Sequence, residues 1–282
     1  MPIDTHVHLA SADAVKYPPA AERPFTTEEY VNPAERLLSL MDEAGVEGAI
    51  IVQPFGIYGF DNSLHADAAA AYPERFVGVC GLSAALPDAS AQLRHLVQER
   101  GMRGLRVILR GGPLEAAPDD PRFLALMAEA ERLDIPVCFL TTRRFLPDIH
   151  NLARRSPGLR IALDHLGVRL SDPAEVLASL DPLADVPNIF LKFSTTLFLA
   201  GIDPDRLLRT LLERFGADRM LWGSNFPPSD EGGYVNTVEV SRRALASLPA
   251  SVQDALFGGT ALRLWPQLRR ASTSSGGTPQ GV

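Results

Sequence analysis

Short apolar runs alternate with amphipathic helical patterns along nearly the whole chain, and this alternation limits the possible folds more than any other feature. Each run is rich in Val, Ile, Leu or Phe with little polar interruption, as in strands buried on both faces of a parallel sheet. Eight strands are predicted, at Ile3 to His8, Gly48 to Gln53, Phe76 to Gly81, Gly104 to Leu109, Ile135 to Thr141, Leu159 to His165, Asn188 to Ser194 and Met220 to Ser224.

The segments between these strands carry helix start and stop signals. Asn32-Pro33 predicts a helix with Asn as its N-cap and Pro in its first turn, and Gly45 predicts its end. Four aspartates open further helices in the same way: Asp88, Asp120, Asp172 and Asp203. Eight strand–helix units predict an α/β fold, a closed (β/α)8 TIM barrel in a single domain. A doubly wound open sheet is the alternative, although such sheets rarely contain eight consecutive units.

Composition excludes several classes of protein. The net charge is −7 and no stretch clusters Lys or Arg, so nucleic acid is not expected as a partner. No apolar run approaches the roughly 18 residues of a membrane span, and the N-terminus lacks a signal-peptide pattern. Cys80 and Cys138 lie in apolar strands, which favours buried reduced thiols and a cytoplasmic location. A homo-oligomer is compatible with these properties.

The barrel is assigned to residues 1–270. Residues 271–282 are rich in Ser, Gly and Thr, a composition typical of a disordered tail.

In a TIM barrel, the chemical groups lie at the C-terminal ends of the strands. His6 and His8 end the first strand, and their spacing of two places both imidazoles on one side of an extended chain. His165 ends the sixth strand and Asn225 follows the eighth. A His-x-His pair is also common on surfaces, and His165 could be a core histidine. Because His6, His8, His165 and Asn225 all lie at or just after strand ends, we expect them to belong to one site.

Three cationic residues accompany them. Arg106 and Arg110 lie on and just after the fourth strand, and Lys192 lies in the seventh. Arg106 could instead pair with a barrel carboxylate, and Lys192 could form a structural ion pair. Three further histidines are expected in surface helices or loops without a role: His65, His95 and His150.

Taken in order, five segments resemble the amidohydrolase-related family of barrel hydrolases, in particular its pyrone dicarboxylate lactonase branch. The resemblance runs from Ile3 to about Trp265. The segments are Asp4-Thr5-His6-Val7-His8, Gly101-Met102-Arg103-Gly104-Leu105-Arg106, Leu163-Asp164-His165-Leu166-Gly167, Trp222-Gly223-Ser224 and Phe257-Gly258-Gly259-Thr260-Ala261-Leu262-Arg263-Leu264-Trp265.

In metal-dependent relatives, the paired histidines, further histidines on strands five and six, and an Asp on strand eight surround the metal. The resemblance therefore implies His6, His8 and His165 as ligands of one divalent metal, zinc. Zinc would lower the pKa of its bound water to about 7. This chain has no His on strand five and has Asn225 in the place of the Asp. A site without metal, as in the lactonase branch, is kept open as at least an equal alternative.

The resemblance also implies roles. His6, His8 and His165 polarise the substrate carbonyl, directly or through a metal. Asn225 orients the attacking water, because an amide cannot take a proton as a general base. Arg106 and Arg110 clamp a substrate carboxylate in a bidentate fork, and Lys192 adds positive charge nearby.

These residues predict a hydrolase that opens a lactone C–O bond in a small carboxylated substrate. A decarboxylase or lactone isomerase on the same scaffold is the alternative within the enzymes. Asn225 and the missing strand-five histidine also allow a catalytically impaired barrel that only binds a ligand. A metal-dependent deoxyribonuclease is disfavoured by the lack of a basic groove.

Overall fold

A computed structural model shows eight parallel strands that follow one another around a barrel in chain order. It describes residues 1–21, 30–167, 173–194, 204–227 and 233–269. The strands are β1 (Ile3–Val7), β2 (Gly48–Val52), β3 (Phe76–Gly81), β4 (Leu105–Leu109), β5 (Val137–Thr141), β6 (Ile161–Leu163), β7 (Ile189–Ser194) and β8 (Met220–Gly223). All eight predicted strands are confirmed, most of them one or two residues shorter than predicted.

Helices connect the strands and surround them. They are α1 (Ala34–Ala44), α2 (Phe55–Tyr58), α3 (Ser63–Ala71), α4 (Ala89–Gln98), α5 (Pro121–Arg132), α6 (Leu146–Arg155), α7 (Pro173–Leu180), α8 (Pro204–Phe215), α9 (Gly233–Leu245), α10 (Ala250–Asp254) and α11 (Ala261–Leu264). A π-helical turn, Ala255–Gly259, joins α10 to α11. Among the described residues, no helix has both the length and the hydropathy needed to cross a lipid bilayer.

Two of the predicted helix signals operate as expected. Gly45 ends α1 in the left-handed conformation, with φ 63°. Asp120 caps α5 by accepting a hydrogen bond from the backbone N–H of Arg122 at 2.8 Å. Asp172, Asp203 and the predicted tail 271–282 lie outside the described residues.

The prediction of Asn32 as an N-cap is wrong. Pro33 occupies the cap position of α1, and the Asn32 amide instead donates to the backbone carbonyl of His8 at 2.9 Å. This carbonyl lies just beyond the end of β1, so the amide satisfies an acceptor of the barrel rather than one of the helix. Asp88 does occupy the cap position of α4, but its side chain makes no capping bond.

Apolar side chains fill both the barrel and the layer outside it. The interior cluster includes Ile50, Val77, Val79, Cys138, Ala162, Phe190, Leu221 and Trp265. A larger cluster packs the outer faces of the strands against the helices. Cys80 and Cys138 are buried free thiols, as predicted.

Asp4 closes the barrel where β1 meets β8. Its Oδ1 accepts hydrogen bonds from the backbone N–H groups of His6 at 3.0 Å and Ser224 at 2.9 Å. The next residue, Asn225, donates its backbone N–H to the carbonyl of His6 at 2.8 Å. Burial raises the pKa of the Asp4 carboxyl to about 6, although the bonds from Ser224 and His6 oppose this rise. One carboxylate therefore sets the relative position of two segments that carry candidate site residues.

We expect Asp4→Ala to lower the free energy of unfolding by roughly 2–4 kcal/mol, because two buried N–H groups lose their acceptor. Urea denaturation at neutral pH measures this change. Asp4→Asn keeps one side-chain carbonyl and should lose less. Asp13→Ala, at an exposed aspartate, is the control. Wild-type stability in Asp4→Ala would contradict this account of the closure.

Candidate active site

A cavity of about 520 Å³ opens among the C-terminal ends of the strands and the loops that follow them. Four predicted site residues line it: His8, Arg106, Arg110 and Asn225. Most of the remaining wall is apolar or backbone, from Ala10, Tyr30, Pro54, Phe55, Gly56, Ile57, Ile108, Leu140 and Pro227. Glu115 also lines it, and sequence reasoning missed this residue because it lies in an irregular loop after β4. The cavity thus combines two guanidinium groups with a largely apolar wall.

The structure brings the three histidines together, with His6 between the other two. The centroid of the His6 ring lies 4.9 Å from that of His8 and 4.8 Å from that of His165. His6 is fully buried, while His8 and His165 are partly exposed. Segments about 160 residues apart in the chain therefore meet at one place, as the barrel topology requires.

Two of the three imidazoles, those of His8 and His165, have a hydrogen-bond partner at Nδ1. The Nδ1 atom of His8 lies 2.7 Å from the carbonyl of Val52, which can only accept, so Nδ1 carries the hydrogen. His165 Nδ1 lies 3.1 Å from the Ser194 hydroxyl, and His6 Nδ1 lies 3.4 Å from Asp164. His8 therefore presents a lone pair at Nε2 and cannot donate there, so the expected direct polarisation of a carbonyl does not suit it.

All three imidazoles are neutral at neutral pH. Burial lowers the pKa of His8 to about 3, and the Arg106 charge adds to this effect. Burial likewise lowers the pKa of His165 to about 4 and that of His6 well below its usual range. The histidines can therefore accept hydrogen bonds but do not supply positive charge.

The charge at this end of the barrel is organised around Asp164. Its Oδ2 accepts from Arg106 Nε at 3.0 Å, and its Oδ1 lies 3.2 Å from Lys192 Nζ. Burial by itself would raise the pKa of this carboxyl, but Lys192, His6 and Arg106 together hold it well below its usual range. Arg106 therefore pairs with a barrel carboxylate, which was the alternative interpretation of this residue. It also lines the cavity, as the substrate-binding interpretation requires.

Strand register explains this ion-pair cluster. Ala162 of β6 is paired with Phe190 of β7, and both point into the barrel interior. Asp164 and Lys192 each follow two residues later, so they lie at the same height and on the same face. The alternation of side chains along a strand therefore places the carboxylate and the ammonium group side by side.

Lys192 does not line the cavity. Its Nζ also lies 3.2 Å from Cys138 Sγ and 5.4 Å from the centroid of the Trp265 ring. Burial alone would lower the pKa of Lys192, but Asp164 raises it. The structure thus places Lys192 beneath the histidines as the partner of Asp164 rather than at a substrate-facing surface.

The two arginines differ in burial and in their partners. Arg106 is buried and fixed by Asp164, with Nη1 3.4 Å from the backbone carbonyl of Gln53. Arg110 is exposed, and its backbone N–H donates to Glu115 Oε2, which also accepts from the backbone N–H of Gly111. A buried guanidinium held by an ion pair and an exposed one therefore border the same cavity.

Two site residues adopt the left-handed backbone region. Asn225 has φ 62° and His165 has φ 53°. Asn visits this region more readily than most residues, whereas His165 is followed by Leu166, which has φ 62°. Such strain costs about 1–3 kcal/mol per residue and clusters at functional sites, where the surrounding structure enforces it.

The expectation of a surface or loop position is wrong for His65. It is completely buried in α3, and its Nε2 accepts from the backbone N–H of Leu9 at 3.4 Å. Burial lowers the pKa of His65 to about 3. His95 is exposed and pairs with Glu99, as expected for a surface position. His65 therefore supports the loop that follows the His6–His8 pair.

The charges around the histidines disfavour zinc. Neutral imidazoles suit a metal, but the described residues contain no group of three or more His, Cys, Asp or Glu side chains arranged to hold one. Asp164 already compensates two permanent cations, and position 225 supplies an amide instead of a carboxylate. Three imidazoles can hold zinc without a carboxylate, but a dication here would be repelled by Arg106 and Lys192.

We expect Asp164→Asn to lower the free energy of unfolding by about 3–5 kcal/mol, because two cations stay buried without their counter-charge. The double variant Asp164→Asn/Lys192→Met should recover part of this loss. Asp218→Asn breaks an exposed ion pair with Arg263 and is the matched control, with a loss under about 1 kcal/mol. Equal losses in the two single variants, measured by urea denaturation, would contradict the central position of Asp164.

Two lactone hydrolases resemble this chain over most of its length. The chain is 28% identical over 255 residues to a 4-sulfomuconolactone hydrolase of Rhizobium radiobacter, covering 83% of this chain and 81% of that protein. It is 30% identical over 249 residues to an L-fucono-1,5-lactonase of Burkholderia ambifaria, covering 82% of each. Both relatives are lactone hydrolases.

A solved structure shows which fold the chain shares, and a family model shows which family it belongs to. A zinc-bound amidohydrolase of Burkholderia multivorans superposes with a TM-score of 0.76 at 23% identity, covering 94% of this chain and 99% of that one, which shows the shared barrel fold. The sequence model of the Amidohydrolase family matches residues 3–267. The resemblance inferred from the motifs is confirmed, and the chain belongs to the amidohydrolase family.

Proposed function

We propose that this protein is a lactonase that adds water to the lactone carbonyl of a small carboxylated molecule. One observation carries the proposal: His8, Asn225 and the guanidinium groups of Arg106 and Arg110 border a single cavity at the barrel mouth. A lactone with a carboxylate presents the matching groups, a carbonyl that needs hydrogen-bond donors and an anion that needs positive charge. The lactone hydrolases among the relatives support the same reaction class.

Substrate binding is assigned to the arginines. Arg110 is exposed and adaptable, so it binds the substrate carboxylate, in the bidentate geometry that guanidinium allows. Arg106 is held rigid by Asp164, so its remaining N–H groups face the cavity in a fixed direction. A fixed donor stabilises the oxygen that becomes negative when water attacks the carbonyl.

The attacking water is assigned to the other side of the cavity. The His8 lone pair accepts a hydrogen bond from it, and the Asn225 amide orients it. A carbon–oxygen bond forms to the water, the ring C–O bond breaks, and a proton from the water passes to the leaving ring oxygen. The product is a hydroxy acid, which releases a proton at neutral pH.

We propose that these side chains perform the reaction without zinc, because the charges of Arg106 and Lys192 beside the histidines disfavour a dication. The zinc in the Burkholderia multivorans structure belongs to that protein. The two buried thiols support a reducing compartment, and we propose the cytoplasm as the location.

A screen of carboxylated lactones in a pH-stat tests the activity, because ring opening consumes base whereas a decarboxylase would release carbon dioxide. We expect Arg110→Gln to raise KM for a carboxylated lactone roughly 10- to 100-fold, since a charge-assisted hydrogen bond is lost. The methyl ester of the same lactone is the control and should show little change. An equal effect on both, or one zinc per chain whose removal abolishes turnover, would contradict the assigned roles.

Asn225→Asp tests whether the reaction is limited by the lack of a proton acceptor at position 225. A carboxylate at this position can take the proton of the attacking water, so we expect kcat to rise about 10²- to 10⁴-fold. Asn225→Ala, which can neither orient water nor accept its proton, should fall below the wild type. If Asn225→Asp hydrolyses no lactone faster than the wild type, the barrel that only binds a ligand becomes the better interpretation.

A further inference from the structure

A second cavity of about 200 Å³ adjoins the main one. The two share Phe55, Ile108 and Glu115, so they are neighbouring compartments of one site. We call the second compartment the side pocket. Its own lining consists of Phe60, Leu82, Ser83, Gly112, Pro113 and Leu114.

The polar groups of the side pocket are used within the protein. The Ser83 hydroxyl donates to the backbone carbonyl of Leu114 at 2.5 Å and accepts from the backbone N–H of Ala85 at 3.0 Å. Glu115 Oε2 accepts two backbone N–H groups, those of Arg110 and Gly111. A ligand in this compartment therefore meets mainly hydrocarbon, with few hydrogen-bonding groups left to recognise polar substituents.

Two apolar features define the walls. The rings of Phe55 and Phe60 pack against each other, with centroids 4.8 Å apart and planes tilted by 52°. On the outer side, Leu114 keeps 49% of its surface exposed. It is one of three large hydrophobic residues exposed in the described part of the chain, and the other two, Met1 and Val15, border neither compartment. Leu114 therefore extends the apolar wall of the side pocket to the protein surface.

We propose that the side pocket binds an apolar substituent of the lactone, an alkyl chain or a phenyl ring, and so sets the substrate class. This inference rests on the proposed lactonase function. A dry apolar cavity of about 150 Å³ can hold benzene, so the side pocket is large enough for such a group. A polar substituent would lose its hydration there without gaining partners.

A series of carboxylated lactones that differ only in one substituent tests the proposal: hydrogen, methyl, propyl, pentyl and phenyl. Burial of each methylene should raise kcat/KM about fourfold. The rise should stop once the side pocket is full. A hydroxyl at the end of the chain should cancel the gain.

Two variants locate the effect. Phe60→Ala enlarges the side pocket and should move the optimum to a longer substituent. Leu114→Asn replaces an exposed apolar wall with a polar one, so the gain per methylene should shrink. Val15→Asn makes the same type of change at an exposed position outside both compartments and is the matched control, with an unchanged profile.

Binding measurements separate this proposal from the lactonase proposal. Calorimetry is performed with carboxylated cyclic ethers that carry the same substituents and cannot be hydrolysed. Suppose that no lactone is turned over, but that ether affinity rises with substituent length and changes in Phe60→Ala. This outcome supports the side pocket proposal and contradicts the lactonase proposal. If lactones are hydrolysed at rates independent of the substituent, the side pocket proposal is overturned. Flat affinities across the ether series would also overturn it.

Discussion

Asp164 lies inside the barrel with Arg106 on one carboxylate oxygen, and Lys192 and His6 beside the other. Buried ion pairs of this kind add little net stability, because desolvation of the charges offsets their attraction. They do fix geometry, since any movement leaves a charge without compensation. The direction of the Arg106 guanidinium and the position of the His6 ring both depend on this carboxylate. The rest of the candidate site is built on that constraint.

The same cluster sets the electrostatics of the cavity. Burial lowers the pKa of all three imidazoles, and the Arg106 charge lowers it further at His8 and His165, so the neutral rings act as hydrogen-bond acceptors. Among the described residues, the three cations Arg106, Arg110 and Lys192 contact two carboxylates, Asp164 and Glu115, so their charges are not fully balanced. An anionic substrate completes this balance, whereas a dication would worsen it. Charge therefore favours a carboxylated ligand and disfavours zinc for the same reason.

Other members of the family use the same barrel for different substrates, so the fold alone does not define the reaction partner. In this chain, the residues that line the two compartments of the cavity indicate which substrate is bound. Arg110 lies on an exposed loop and can adapt to an acid group, while Phe55, Phe60 and Leu114 form an apolar compartment next to it. The relatives act on a sulfonated and a sugar lactone. Apolar walls indicate a more hydrophobic substrate here.

The sequence by itself determined the architecture and part of the site. Nearly continuous apolar runs and helix signals predicted the closed barrel, and the two-residue period of an extended strand placed His6 and His8 on one side. The sequence also predicted His165, Arg106 and Asn225 as site residues, because the C-terminal ends of barrel strands lie together at one opening. Only the tertiary structure decided which partners the polar groups meet. Asp164 pairs with Arg106 and Lys192, and the Asn32 amide binds the His8 carbonyl. The tertiary structure also decided that His65 is buried. The physical reason is that local patterns fix which face a side chain takes, whereas a buried polar group is satisfied by whatever the fold brings within 3 Å or so. For Arg106 and Asp164, that neighbour is 58 residues away in the chain.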